Sequence, residues 1–220
     1  MSIEPEAVDP AVLEAEAEAE YDLLGVEGSF WTATRLLIGI VTFAWAGIAF
    51  AYFYLRESDT RSLWRPHGVT PPTLLGTLIA LCVVAGAAVA VYGKYTLRDG
   101  RQVDWGFAAW LTTALGLIAA GLQIWELSRL SFLPGLSGYT SVFIGFAPLN
   151  VAFILGGTYW VETTVARAMR LRGRLATTGG AAISPLPDAR LLRANIDGAT
   201  YFWVYMALID AGFWALFYVL

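Results

Sequence analysis

Glu126 and Asp210 are the two acids that the surrounding sequence does not explain, because each sits in a long apolar run. A carboxylate in hydrocarbon is costly, so it normally faces other protein and has a partner, as a proton-organising group or as part of a polar contact between helices. Gln123 precedes Glu126 by one helical turn and shares its face, which makes a polar patch suited to contact with another helix. Asp210 lies about twelve residues into the last run, close to mid-membrane; it is expected to be internal, and paired or protonated. Asn150, midway along the fourth run, and Tyr205 are its candidate partners. Spacing alone leaves open whether this polar interior is a conduit or structural glue.

Metal, haem and nucleotide chemistry have little to work with. His67 is the single histidine, in a connection between runs, and Cys82 is the single cysteine. Zinc sites draw on several Cys, His or acidic ligands, and haem needs an axial ligand in the bundle. No span contains a histidine, and there is no glycine-rich phosphate loop and no CxxC pair. The expectation is therefore no catalytic residue, no metal ligand and no cofactor bound by this chain.

The elements that must position these residues are helices. Hydrophobic residues make up 57% of the 220 and charged residues 15%, against about 25% charged in a soluble domain. Five apolar runs stand out, at about 32–55, 73–96, 105–127, 140–162 and 198–220. Each matches the roughly 20 residues that cross a bilayer as helix. Their continuous apolarity is unlike the alternating strands of a barrel, and backbone groups in lipid must bond internally. The expected fold is an all-α membrane protein with one five-helix bundle over residues 31–220, preceded by an acidic segment at 1–30. That segment has nine acids from Glu4 to Glu27 and no Lys or Arg, unlike a signal peptide, and reads as a mobile tail or a surface helix. It accounts for most of the net charge of −4.

Lys94, Arg98, Arg101, Arg167, Arg170, Arg172, Arg174, Arg190 and Arg193 fall on the same side as the N-terminus, with Arg35 just inside the first span. Arg56, Arg61, Arg65 and Arg129 fall on the other. Positive residues favour the cytoplasmic face, which predicts the N-terminus inside and the C-terminus outside. Trp31, Trp64 and Trp105 lie near predicted interfaces. Small residues recur at Gly39 and Gly47, Gly86 and Ala90, Gly116 and Ala120, and Gly156 and Gly157, as in packed membrane helices. The connection at about 167–197 contains Gly179-Gly180 and Ser184-Pro185, and reads as irregular.

These pieces carry a pattern. The first span ends Ala46-Gly47-Ile48-Ala49-Phe50-Ala51-Tyr52-Phe53-Tyr54, and the outer loop follows with Trp64-Arg65-Pro66-His67-Gly68. The third span has Leu115-Gly116 and then Leu122-Gln123-Ile124-Trp125-Glu126. Gly138-Tyr139-Thr140-Ser141-Val142-Phe143 and Gly145-Phe146 come next, and Asp210 is followed by Phe213 and Trp214. In order and spacing the chain resembles subunit III of haem–copper respiratory oxidases, in the short five-span form. The family's motifs here are an Ala-Gly and aromatic span ending, Trp-Pro-Pro-x-Gly, Leu-Gln-x-x-Glu and Phe-Val-Asp. There are departures. No carboxylate stands near Val41, where the family has a membrane glutamate. Ala147-Pro148-Leu149-Asn150 replaces a segment with two histidines, its proline expected to loosen the helix, and the histidine near Tyr205 is absent.

The resemblance implies an accessory subunit, in the cytoplasmic membrane of a bacterium or archaeon. Such a subunit packs on subunit I of a cytochrome c or quinol oxidase, beside subunit II and sometimes other small or supercomplex subunits. It holds structural phospholipid and supports proton uptake and stability, while haem and copper stay in its partners. Glu126, Asp210, Gln123, Asn150 and Tyr205 would then be structural or proton-organising residues, with Trp64 and His67 on the outer loop. Two alternatives stay open: an accessory subunit of a nitric oxide reductase, which shares the helix pattern, and a small proton-coupled transporter using Asp210 and Glu126.

Overall fold

The computed structural model describes residues 10–59, 64–177 and 187–220. Over those residues the chain is helical, and five of its helices are long and apolar enough to cross a membrane. They are α1 (Pro10–Glu57), α2 (Thr73–Arg98), α3 (Gln102–Ser128), α4 (Gly138–Thr177) and α5 (Pro187–Trp214), the last ending in a π-helical turn at Ala215–Val219. Residues 1–9 of the acidic segment and residues 178–186 of the long connection lie outside the described part.

α2 and α3 form a tight antiparallel hairpin. Its turn is made by Gly100 at φ 79°, a left-handed conformation that suits glycine, and Arg101 N–H closes it onto Thr96 O at 2.8 Å. Glycines then let the helices approach. A Cβ on Gly93 would come within 2.9 Å of Ala108, and one on Gly86 within 3.2 Å of the Trp203 ring of α5. α5 packs against α1, α2 and α4, and α4 also lies against α3 and α1. Trp45, Phe146, Phe213 and Phe217 fill the space between α1, α4 and α5 with ring centroids about 5 Å apart.

The expected spans locate the five helices, and the helix ends differ. α1 has 48 residues and α4 has 40, which gives about 72 and 60 Å at 1.5 Å per residue against a hydrocarbon core of about 30 Å. Three ends project on one side of the bundle: the start of α1, the end of α4 and the start of α5. From Pro10 onward the acidic segment is therefore helical and continuous with the first span. The connection at 167–197 corrects the irregular reading in the same way, being helical up to Thr177 and again from Pro187. Ala, Leu, Arg and Glu are good helix formers whether or not they are apolar, so a hydropathy boundary is not a helix boundary.

The projecting ends are tied by charge. Arg190 Nε and Nη2 donate to the two carboxylate oxygens of Glu27 at 2.8 and 3.1 Å, and Nη1 donates to Glu20 at 2.7 Å. Trp160 Nε1 donates to Asn195 Oδ1 at 2.6 Å, and Asn195 Nδ2 to Thr164 Oγ1 at 2.9 Å, joining α4 to α5. Lys94 of α2 meets Asp197 of α5 at 2.8 Å.

α4 runs through Pro148 without a break. Trp105, in the first turn of α3, turns inward: it is 7% exposed, its indole edge against the Gly93 position.

Candidate functional site

The buried face of α3 reads Thr112, Gly116, Ala119, Ala120, Gln123 and Glu126. It is a stripe at helical spacing, small in its first half and polar at its end. The stripe's direction carries Gln123 and Glu126 inward between α2, α4 and α5, where Glu126 is 0% and Gln123 2% exposed. Asn150 of α4 and Asp210 of α5 enter the same space at 1% and 4%.

Four side chains are linked there in sequence. Asn150 Nδ2 donates to Gln123 Oε1 at 3.1 Å. Gln123 Nε2 donates to Glu126 Oε2 at 2.6 Å. Tyr218 Oη donates to the other carboxylate oxygen, Glu126 Oε1, at 2.5 Å. Asp210 lies against Asn150 at the far end, and neither Asp210 Oδ2 nor Asn150 Oδ1 has a hydrogen-bond partner. Both residues border a cavity of about 10 Å³ that Gln123 and Tyr218 also line.

Tyr218 was not a sequence candidate. It stands at the end of the last run, where an aromatic reads as an interface anchor. The π-helical turn and Gly76 bring it inward. The Tyr218 ring lies so close over Gly76 of α2 that no Cβ fits between them. The turn is held by hydroxyls from two other helices: Tyr52 Oη donates to Leu216 O at 2.7 Å and Tyr139 Oη to Phe217 O at 2.8 Å. One turn earlier, Trp214 Nε1 donates to Thr77 Oγ1 at 3.0 Å. The signal in the sequence was a pair, a glycine early in α2 and a tyrosine late in α5, and it becomes visible only once the two helices are known to be neighbours. Replacing Tyr218 with phenylalanine keeps the ring over Gly76 and removes one donor from Glu126. The expected loss is about 1 kcal/mol in a denaturing-detergent titration, between the membrane average and the value for a bond to a charged group.

Tyr205 is not a partner of Asp210. Five residues at 100° each place it about 140° around α5, where its hydroxyl meets Thr42 Oγ1 of α1 at 2.9 Å. The outer loop residues lie apart from the network. Trp64 is half-buried, edge-on to Tyr52 and Tyr139 with centroids 5.0 and 5.9 Å away. Its backbone N–H donates to Asp59 Oδ2, and Gly138 lets the indole settle on the start of α4. Trp64 therefore tiles the end of the bundle. His67 is exposed beside it. Among the described residues no group of three or more His, Cys, Asp or Glu side chains is gathered as a metal site would require.

Fold and site together define a helical bundle of membrane-spanning length, threaded by a buried polar chain between two carboxyl groups. Scanned against models of known families the chain matches none, and a search of curated proteins also finds no match.

Proposed function

We propose that this chain is an accessory subunit III of a haem–copper terminal oxidase, packed on the catalytic subunit and carrying no redox centre of its own. The observation that carries the reading is a convergence. Two motifs of the resemblance lie far apart in sequence, Leu122-Gln123-Ile124-Trp125-Glu126 and Asp210 with its following aromatics, and Asn150, in the segment that departs from the family, stands between them. Their polar residues meet in one buried network. Convergence of this kind is what a shared ancestral interior would produce, and it is not required of motifs matched by chance. The aromatic ending of the first span, the Trp64 loop and Tyr139 likewise form one cluster. In this reading Glu126 and Asp210 organise protons and packing inside the subunit while oxygen reduction happens next door. The arginine-rich projecting ends lie in the cytoplasm, and the C-terminus faces outward.

The test is to tag the chain, extract it from its native membrane in mild detergent and identify what comes with it. Copurification with a haem-bearing, histidine-rich subunit of about twelve spans is the expected result. Recovery of the chain as a stable solitary protein would overturn the reading.

A further inference from the structure

The projecting start of α1 carries an apolar row that the bundle does not use. At about 100° per residue, Leu13, Ala17, Tyr21 and Leu24 fall within about 80° of one another around the helix. Leu13 is 52%, Tyr21 77% and Leu24 51% exposed. Acids border the row on both sides, Glu14 and Glu18 along one edge and Glu16 and Glu20 along the other. Single exposed leucines are ordinary on a protein surface, whereas an aligned apolar row rimmed by polar residues marks a contact.

Lipid does not cover this row. Counting from Trp31 at the predicted interface, Leu24, Tyr21 and Leu13 stand about 10, 15 and 27 Å further along the helix. The headgroup layer is only about 5–8 Å deep on each side. The arm is not free to fold back onto the membrane either, because Arg190 of α5 holds Glu20 and Glu27.

Charge decides what can sit there. From Glu14 to Glu27 the arm has six acids and no Lys or Arg, and Arg190 answers two of them. Anionic headgroups, or a second copy of the same arm, would bring negative charge to negative charge. Residues 1–9 add only acids, and residues 178–186 carry no charged side chain, so neither segment of this chain is complementary.

We propose that the start of α1 is a docking arm for a basic amphipathic segment of another protein. The apolar side of that segment covers Leu13, Tyr21 and Leu24, and its Lys or Arg side chains meet Glu14, Glu16 and Glu18. Apolar contact supplies the close fit, while the flanking charges set orientation and reject acidic surfaces. The partner is defined by this chemistry, whichever complex the chain joins.

The test places a photo-reactive phenylalanine analogue at Tyr21 of the full chain, in its native membrane, and maps the adduct by mass spectrometry. The expected adduct is on a different protein, in a segment apolar on one helical face and bearing Lys or Arg on the other. Its yield should fall at least tenfold in Glu14→Lys/Glu18→Lys and, separately, in Leu13→Ser/Leu24→Ser. All four positions are exposed and the Arg190 ties are left in place. Glutamate and lysine have similar helix propensity, so the charge reversal keeps the helix and decides alone should the serine pair fray it. Adducts on lipid, on a second copy, on this chain itself or on an acidic surface would overturn the proposal. So would the absence of any adduct, or a yield that the charge reversal leaves unchanged. None of these outcomes depends on whether the partner is an oxidase subunit, so the two readings fail separately.

Discussion

Replacing Gly116 with valine is expected to destabilise the bundle by about 3 kcal/mol, the upper part of the range for overpacking a filled core. A Cβ at this position would run into Thr158 Oγ1 of α4 and come within 2.9 Å of the Trp203 ring of α5. Neither neighbour has easy room to move. The Thr158 hydroxyl is bonded to Ile154 O at 2.8 Å, and the Trp203 indole, 2% exposed, donates to Gly157 O at 3.3 Å. Three helices would have to separate. The comparison variant is Gly39→Val, because a Cβ on Gly39 meets nothing within 4 Å. That change should stay within about 0.5 kcal/mol of wild type, as surface substitutions do. The measurement is the midpoint of a denaturing-detergent titration followed by helix content and tryptophan emission. Equal effects of the two substitutions would show that Gly116 is not a contact between helices.

Replacing Gln123 with leucine should cost a similar amount by a different route. The side chain both accepts from Asn150 and donates to Glu126. Its loss strands a buried amide N–H and one carboxylate oxygen, at about 1–3 kcal/mol each before relaxation. Bonds inside membranes are on average weaker than this, about 0.6 kcal/mol, but here the stranded groups are fully buried and have no lipid headgroup to turn to. An expected total of about 3 kcal/mol follows. Asn150→Leu on the Gln123→Leu background should cost much less than Asn150→Leu alone, since its partner is already gone, and a double-mutant cycle reads that coupling directly. Additive effects, or a Gln123→Leu chain as stable as wild type, would mean that the link carries no energy.

These two positions also show what the sequence made legible. Continuous apolarity marks where a chain crosses lipid, so the five helices could be placed within a few residues of their hydrophobic centres. It is silent about helix that continues into water, and the projecting parts of α1, α4 and α5 went unread for that reason. Gln123 and Glu126 were legible as a pair because three residues along a helix fix a shared face. Asp210 was legible by depth alone. Tyr205 was assigned to Asp210 by closeness in sequence, and the rotation of the helix carried it to α1 instead. The small-residue spacings were only half informative. Gly86, Gly116 and Gly157 do meet side chains of other helices, whereas Gly39, Gly47 and Gly156 open onto empty space. Which side of a membrane helix faces protein depends on its neighbours, and a stripe of glycine looks the same on either side.

α1 touches α5 at three heights: Glu20 and Glu27 on Arg190 near the start of α5, Thr42 on Tyr205 along its length, and Tyr52 on the carbonyl of Leu216 at its end. Two helices joined at one point can pivot, and joined at two they can still twist. Three polar attachments spread over the length of α5 oppose axial sliding and rotation together. A shift of α5 by one residue, about 1.5 Å, would turn it by roughly 100° and break all three at the same moment. The depth at which Asp210 sits is therefore fixed by α1 together with the ties of α5 to α2 and α4, Lys94 on Asp197, Trp214 on Thr77 and Asn195 on Thr164. α1 works as a gauge rod for α5, and the acidic arm at Glu20 and Glu27 is its outermost mark.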